Sequence, residues 1–526
     1  MAQPTTFAPS PYQQAFFDWV EKGTGSCILV AVAGSGKSTS ILQSLRYVPE
    51  REHVQILAFN AAIAKDLNVK LDALREELGR PFAHARASTF HSLCFGALTR
   101  YLKARDLKPD PKKLEKLFPT VVAQDARLVD LYSNFVCKLV GLAKGQGVGA
   151  LGAQAPDVPD AWWGIIRHHD LELDAEGAEE TVAVDLARKL LALSNEAARN
   201  GVIDFDDMLY LVCLWKLKLW QNDRLYVDEA QDTNPVRRAV ARLALKPGGR
   251  LVAVGDPKQG IYGFTGASHD ALDQIKAAFK AIELPLTVSY RCSKAVIRKA
   301  QTLVPYIEAF EGAPEGQDLE LPLEDALKLL KPTDAILCRN TAPLIGTAYA
   351  LIAKGVGCYV LGREIGNGLV KLVDQRRAKT LEQLAERLGQ YKEREVAKFT
   401  ARGEEQKADA VCDRVECLNV LMDNLPDDQR TVAALRDRVA GMFADSGNTL
   451  TLSTLHKAKG REWDTVAIIR PDLMPSKWAR QEHQQEQEQN LMYVGWTRAK
   501  HTLITVLAPP PPAKPGRGIE ARSKAG

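Results

Sequence analysis

The clearest chemistry lies near the N-terminus. Ala31-Val-Ala33-Gly34-Ser35-Gly36-Lys37-Ser38 follows the apolar run Cys27–Val30 and opens a helical pattern. Small residues at these positions let backbone N–H groups wrap phosphate oxygens, and the helix that follows turns its positive end toward them. Lys37 supplies a point charge for the β- and γ-phosphates, and Ser38 a hydroxyl for Mg²⁺. This is the Walker A arrangement, with Ala in place of its first Gly. A second group of residues completes such a site. Leu225-Tyr-Val-Asp228-Glu229-Ala-Gln231-Asp232 ends an apolar run in two carboxylates. Asp228 suits Mg²⁺, and Glu229 suits orienting and deprotonating an attacking water. In Val254-Gly-Asp256-Pro-Lys-Gln259-Gly-Ile-Tyr262-Gly-Phe264-Thr265-Gly-Ala a further strand ends in a turn. The neutral amide of Gln259 there is placed to report a γ-phosphate.

These three segments, in this order, resemble the UvrD/Rep family of superfamily 1 DNA helicases. Further segments carry the resemblance on. Pro11-Tyr-Gln13 is similar to the Q motif, Ala58-Phe59-Asn60 to motif Ia, and Ser88-Thr89-Phe90-His91 to motif Ib. Ser289-Tyr290-Arg291-Cys292 resembles motif IV. Thr454-Leu-His456-Lys-Ala-Lys459-Gly-Arg-Glu462-Trp resembles motif V, and Tyr493-Val-Gly-Trp-Thr497-Arg498-Ala motif VI. The set covers roughly two-thirds of the chain, a share judged from the motif positions.

The resemblance implies an ATP- and Mg²⁺-dependent DNA helicase. It would move 3′ to 5′ on single-stranded DNA and unwind duplex, with ATP between two RecA-like domains. Gln13 and Tyr290 would hold the adenine, Glu462 the ribose, and Ala33 to Thr39 the phosphates. Arg291 and Arg498 would act as arginine fingers from the second domain, stabilising charge that builds on the phosphate oxygens. Phe59, Phe90, Tyr262 and Phe264 would line the DNA track, because single strands bind by stacking on rings. Asn60, Thr89, His91, Thr454 and His456 would add polar contacts, although the two histidines equally suit packing. Four positions depart from the family pattern: Thr265 for Arg, Thr39 for Arg, Ala61–Ala62 without a basic residue, and Ser289 for Asn. They bear on DNA affinity and leave the hydrolytic residues untouched. A second reading is an ATP-driven translocase that removes bound proteins with little unwinding. A helicase–nuclease subunit ranks lower, since little chain follows motif VI, and an RNA helicase lower still.

The elements that must position these residues read as α/β. Continuous apolar runs such as Cys27–Ala33 and Val54–Phe59 suit strands buried on both faces of a parallel sheet. Strand patterns recur at 224–227, 250–254, 450–455, 466–469 and 503–506. The expected architecture is two RecA-like P-loop domains with parallel sheets, each interrupted by a mainly helical insertion. Domain 1A spans 1–96 and 197–280, and insert 1B spans 97–196. Domain 2A spans 281–363 and 446–508, and a small 2B-like insert spans 364–445. A basic, proline-led tail, expected to be disordered, occupies 509–526. Within 97–118, seven basic residues stand against three acidic ones. A DNA-contacting face and a plain solvated helix face fit that count equally. Trp162 and Trp163 suit a core, and Asp204-Phe-Asp206-Asp207 a structural role.

Composition excludes several other classes. The 526 residues are 46% hydrophobic and 25% charged, a globular balance. The net charge of +4 is slight, and the tail contributes Lys514, Arg517, Arg522 and Lys524 against Glu520 alone. DNA must therefore be held by a placed groove rather than a global basic field. No apolar run approaches the ~20 residues that cross a bilayer, and no basic-then-apolar leader opens the chain. Nine cysteines without a CxxC pair argue against a zinc site, an iron–sulfur cluster or a disulfide framework. The expectation is a cytoplasmic or nucleoid-associated protein of bacterial or phage type. Its partners would be single-stranded DNA, single-strand/duplex junctions, and single-stranded-DNA-binding, replication or recombination proteins.

Overall fold

The computed structural model describes residues 7–507 apart from 59, 80–83, 105, 170, 172, 174–177, 262–269, 354–355, 402–404, 443–448, 478 and 480–481. Phe59, Tyr262, Phe264, Thr265 and the tail 509–526 lie outside the described residues. The chain divides into two compact units. One comprises 1–291 with 304–311, the other 292–303 with 312–526.

The first unit is built on a six-stranded sheet. Its strands are β1 (Cys27–Ala31), β2 (Val54–Ala58), β3 (Ala85–Thr89), β4 (Asn222–Val227), β5 (Leu245–Gly255) and β6 (Ile282–Leu286). They lie in the order β3-β2-β4-β5-β1-β6, and every pairing is parallel. The internal strands β1 and β2 are buried along nearly their whole length because helices cover both faces, and the one polar side chain in them, Gln55 of β2, donates to Ser88 Oγ at 3.0 Å. Successive side chains alternate between those faces. Leu29, Ile56 and Val252 pack under the helices Pro11–Lys22, Lys37–Ser44 and Ala61–Leu78. Ile28, Leu57 and Leu251 face the opposite way, into a larger core.

That larger core continues into the helical insert, so 97–196 does not fold around a centre of its own. Trp162, fully buried, joins Leu139, Leu190 and Leu225 in it, and its indole N–H donates to Asp157 at 2.7 Å. An ionic cluster bonds the insert further. Lys113 Nζ lies 2.6 Å from Asp207 Oδ2 and donates to the Ser194 carbonyl at 2.8 Å. Lys144 Nζ lies 2.5 Å from Asp204 and 2.7 Å from Asp207. Lys113 is therefore buried and belongs to neither the DNA-contacting face nor the solvated face that the charge count over 97–118 fitted equally. The acidic stretch 204–207 has the structural role its sequence suggested.

The expected boundary at 280/281 moves. β6 pairs with β1 from Cys27↔Ile282 to Ala31↔Leu286, so the first sheet claims residues expected in the second domain. A two-stranded pair, β7 (Val288–Ser289) and β8 (Glu308–Ala309), then ties 304–311 to the same unit.

The second unit repeats the plan. Its strands are β9 (Gln317–Leu321), β10 (Ala335–Cys338), β11 (Cys358–Val360), β12 (Leu450–Thr454), β13 (Trp463–Ile468) and β14 (Ala499–Val506). Their order is β11-β12-β10-β13-β14-β9, again all parallel. The described part of the insert 364–445 is mainly helical, with helices Arg363–Arg376, Leu381–Ala401, Glu405–Asp423 and Val432–Met442. A piece this short buries little core alone. It solves the problem by sharing: Leu372, Leu384, Leu418 and Val439 pack in one cluster with Ile336, Leu452 and Ile504 of the sheet. Two polar ties reinforce the join. Arg339 forks onto Glu488 at 2.8 and 2.9 Å and reaches Asp409 at 3.0 Å. Asp413 accepts from the N–H groups of Thr341 and Ala342 at 2.8 Å, capping a helix after β10. Among the described residues, no helix is long and apolar enough to cross a membrane.

Candidate nucleotide-hydrolysis site

Strand order places the chemistry. β4, β5 and β1 are neighbours, and all three point their carboxyl ends the same way. Open parallel sheets bind ligands at that edge. The turns after these strands carry Asp228 and Glu229, Asp256 to Gln259, and Ala33 to Ser38.

The phosphate loop needs its glycines. Gly34 and Gly36 have φ of +73° and +76°, a region that strains other residues. A Cβ on Gly34 would stand 2.5 Å from Arg291 Cβ and 2.7 Å from Ser289 Oγ. Gly36 caps the helix Lys37–Ser44, whose first N–H groups face the loop. Ser35 Oγ is buried without a hydrogen-bond partner. A buried hydroxyl is costly to leave unpaired, and a phosphate oxygen is a partner of the right kind. The residues thus fit a phosphate group.

The carboxylates and the lysine form one network. Lys37 Nζ lies 2.9 Å from Glu229 Oε1. Burial works to lower the Lys37 pKa, but Glu229, Asp228 and Asp256 together outweigh it and hold the ammonium more firmly charged. Burial, and then the neighbouring Glu229, raises Asp228, while Lys37 and a hydrogen bond from Ser38 oppose the rise. Burial also pushes Asp256 up to about 6. Glu229 takes the left-handed backbone conformation, φ +51°, which turns it out of the strand line. Gln231 Nε2 donates to Glu229 Oε2, while Gln231 Oε1 accepts from the Asp256 N–H at 3.1 Å. Gln259 Nε2 donates to Asp256 Oδ2 at 2.7 Å. Gln231 and Asp256 are the residues to which the sequence assigned no role. Their signal was position, since each sits in a matched motif beside a residue with one. Ser38 and Asp228 offer the hydroxyl and carboxylate that Mg²⁺ favours, with phosphate and water completing an oxygen shell.

The adenine candidates also meet. Tyr290 donates from its hydroxyl to Gln13 Oε1 at 3.3 Å, and its N–H donates to the Gly34 carbonyl at 2.8 Å. The Tyr290 ring is 40% exposed, as a stacking surface must be, and lies 5.2 Å from Phe310. Gln13 Nε2 donates to Ser40 Oγ at 3.0 Å, and Gln13 completes a capping box with Ser10. Thr39 is exposed and Ala33 buried. Arg291 belongs to the first unit, beside the phosphate loop, and not to the second as expected. The cause is β6, which carries the chain back past β1.

The remaining candidates are placed as follows. Arg498 is almost fully buried in the second unit, donating to the carbonyls of Val494 at 2.9 Å and Arg461 at 3.2 Å. Glu462 faces Lys500 at 3.1 Å. Asn60, Thr89 and Thr454 each cap a helix, accepting from the N–H groups of Ile63, Ser92 and Lys457. Phe90, expected as a stacking ring, is 6% exposed and packs in the first core. His91 lies with Phe90, Asp228, Glu229, Thr233 and Arg237 around a small cleft. Burial, and then Arg237, lowers its pKa to about 4. Burial, and then Arg339, lowers His456 to about 4 as well.

Comparison with known proteins gives this arrangement a family. The UvrD/REP helicase N-terminal domain matches residues 13–280, and the UvrD-like helicase C-terminal domain matches residues 363–508. F-box DNA helicase 1 of Gallus gallus is 22% identical over 507 residues, 90% of this chain and 47% of that protein. The ATP-dependent DNA helicase Rep of Escherichia coli (strain K12) is 26% identical over 56% of this chain and 43% of its own length. The ATP-dependent DNA helicase PcrA of Staphylococcus epidermidis (strain ATCC 35984) is 24% identical over 54% and 38%. The chain spans less than half the length of each of these relatives. The domain matches cover most of the chain and take in the phosphate loop, both carboxylates and the segments 454–463 and 493–499, with 289–292 lying between the two matches: the chain belongs to the UvrD/Rep helicase family.

Proposed function

We propose that this protein is an ATP-dependent DNA helicase that moves 3′ to 5′ on single-stranded DNA. The convergence of Lys37, Asp228, Glu229 and Gln259 at the ends of three adjacent parallel strands carries the proposal. Backbone N–H groups from Gly34 to Ser38 bind the phosphates, and Lys37 balances their charge. Ser38 and Asp228 hold Mg²⁺, which supplies charge neutralisation at the β- and γ-phosphates. Glu229 orients the attacking water and takes its proton on the carboxylate. Gln259, held by Asp256, reads the γ-phosphate. Arg291, next to the loop, stabilises the charge that develops there. Tyr290 and Gln13 bind the base. Arg498 and Glu462 enter through the family resemblance, as do the single-stranded DNA substrate and the stepping direction.

DNA-stimulated ATP hydrolysis tests this reading. Single-stranded DNA accelerates turnover in the unaltered protein, and Lys37→Ala abolishes it while the far-ultraviolet circular dichroism is retained. Stimulated hydrolysis surviving in Lys37→Ala would refute the assignment.

A further inference from the structure

Arg237 lies between two motifs to which the sequence gave different tasks. It sits on the helix Pro235–Leu243, directly after the Asp228–Asp232 segment. Asn234 caps that helix by accepting from the Arg237 N–H at 2.9 Å, which fixes where the side chain starts. Arg237 Nη1 donates to the Asp232 carbonyl at 3.1 Å. Its guanidinium carbon stands 6.0 Å from the centre of the Phe90 ring. It lines the same cleft as His91, Asp228 and Glu229. One half-buried cation therefore touches the loop that carries Glu229 and the turn that carries Thr89, Phe90 and His91.

Charge and burial sharpen the point. A long cationic side chain costs rotamer freedom to fix, so a fixed one marks a constraint. Burial lowers its pKa from the ordinary guanidinium value, and Asp232 and then Asp206 oppose that shift. The helix around it is anchored on the first core by Val236 and Val240. The cleft is small and is lined by both segments. A displacement of the Phe90–His91 turn is therefore felt at Arg237 and at the carboxylates, since close-packed groups transmit strain.

We infer that Arg237 is a positioning residue that passes DNA contact at the Thr89–His91 turn to Glu229. It does not touch nucleotide. It holds the Asp228–Asp232 loop in register with the turn, so that DNA seated there sets the aim of the Glu229 carboxylate. The inference rests on the proposed function, because it needs a DNA-stimulated hydrolase with DNA at the Thr89–His91 turn, the place the family resemblance implies.

The test compares hydrolysis with and without a single-stranded oligonucleotide of thymidines in the full chain, for Arg237→Ala and Arg237→Lys. Oligonucleotide affinity is measured alongside by fluorescence anisotropy. In Arg237→Ala the ratio of stimulated to basal kcat falls about tenfold while oligonucleotide affinity is kept. Such a loss corresponds to ~1.4 kcal/mol of coupling. Arg237→Lys keeps a charge and a donor toward Asp232 and recovers part of the ratio. Equal losses of basal and stimulated rate, or an unchanged ratio, would overturn the inference. No stimulation in the unaltered protein would instead refute the helicase reading, so the two failures are distinct. If Arg237→Ala does not fold, Arg237→Gln, a smaller neutral donor, replaces it under the same criteria.

Discussion

Lys37 Nζ stands 2.9 Å from Glu229 Oε1, so the cation proposed for phosphate and the carboxylate proposed as base for water are paired with each other. A γ-phosphate entering the loop competes with Glu229 for the ammonium. Capture of Lys37 by phosphate then leaves the carboxylate available as a base, which ties the onset of hydrolysis to correct seating of the nucleotide.

Glu229→Gln separates those two tasks. Glutamine still offers Lys37 an oxygen but takes no proton. ATP hydrolysis falls by ~10²- to 10⁴-fold, the range for losing a general base. Binding of a fluorescent ATP analogue is retained. Equal loss of binding and turnover would show that Glu229 is structural.

Asp256 sets a pH signature. Its carboxyl ionises near 3.8 when unperturbed and about 6 in the folded protein. Between those values the native state binds more protons than the unfolded one, so stability falls as pH rises from about 4 to 6. The full cost, about 3 kcal/mol at order of magnitude, applies above pH 6. Asp256→Asn makes the slope shallower without removing it, because burial also raises Asp206 and Asp228 to about 6, and it gains stability at pH 7 but none below pH 4. Urea midpoints at pH 4, 5, 6 and 7 measure it.

The insert 364–445 depends on Arg339. Arg339→Ala leaves Glu488 and Asp409, both largely buried, without their cation. Breaking such a pair from one side costs about 3–5 kcal/mol. The second unit unfolds at lower urea, and limited proteolysis cuts 364–445 sooner. Unchanged proteolysis would show that the shared apolar core alone anchors the insert.

Lys113 plays the matching part in the first unit. Lys113→Met leaves Asp207 with Lys144 and the Asp204 N–H, and takes the Lys113 donor from the Ser194 carbonyl. A loss of about 3–5 kcal/mol is expected by equilibrium unfolding. A neutral result would show that methionine packing compensates for the lost pair.

The sequence was most legible where physics leaves least choice. β1, β2, β4 and β5 are internal strands, and the apolar runs at 27–31, 54–58, 224–227 and 250–254 announce them. The sheet edges were not. β3 (ARAST), β6 (IELPL) and β9 (QDLEL) lie at edges, where one side needs no neighbour and polar residues or Pro285 are tolerated. Missing β6 moved the domain boundary and misassigned Arg291. The phosphate loop and the Asp228–Glu229 pair were legible only together, since two acids after an apolar run are common alone, and the structure brings both to nearby strand ends. Burial of Phe90 was not, since an aromatic ring in a motif looks alike whether it stacks on a base or fills a core. The join between insert and second sheet was invisible too, because Arg339, Asp409 and Glu488 are far apart in the chain.

Strand separation on two matched duplexes, one with a 3′ single-stranded tail and one with a 5′ tail, tests the central claim most directly. ATP and Mg²⁺ are present, and Lys37→Ala is the control. The account predicts unwinding from the 3′ tail alone, abolished in the control. Unwinding from the 5′ tail, or none from either while single strands still stimulate hydrolysis, would contradict it.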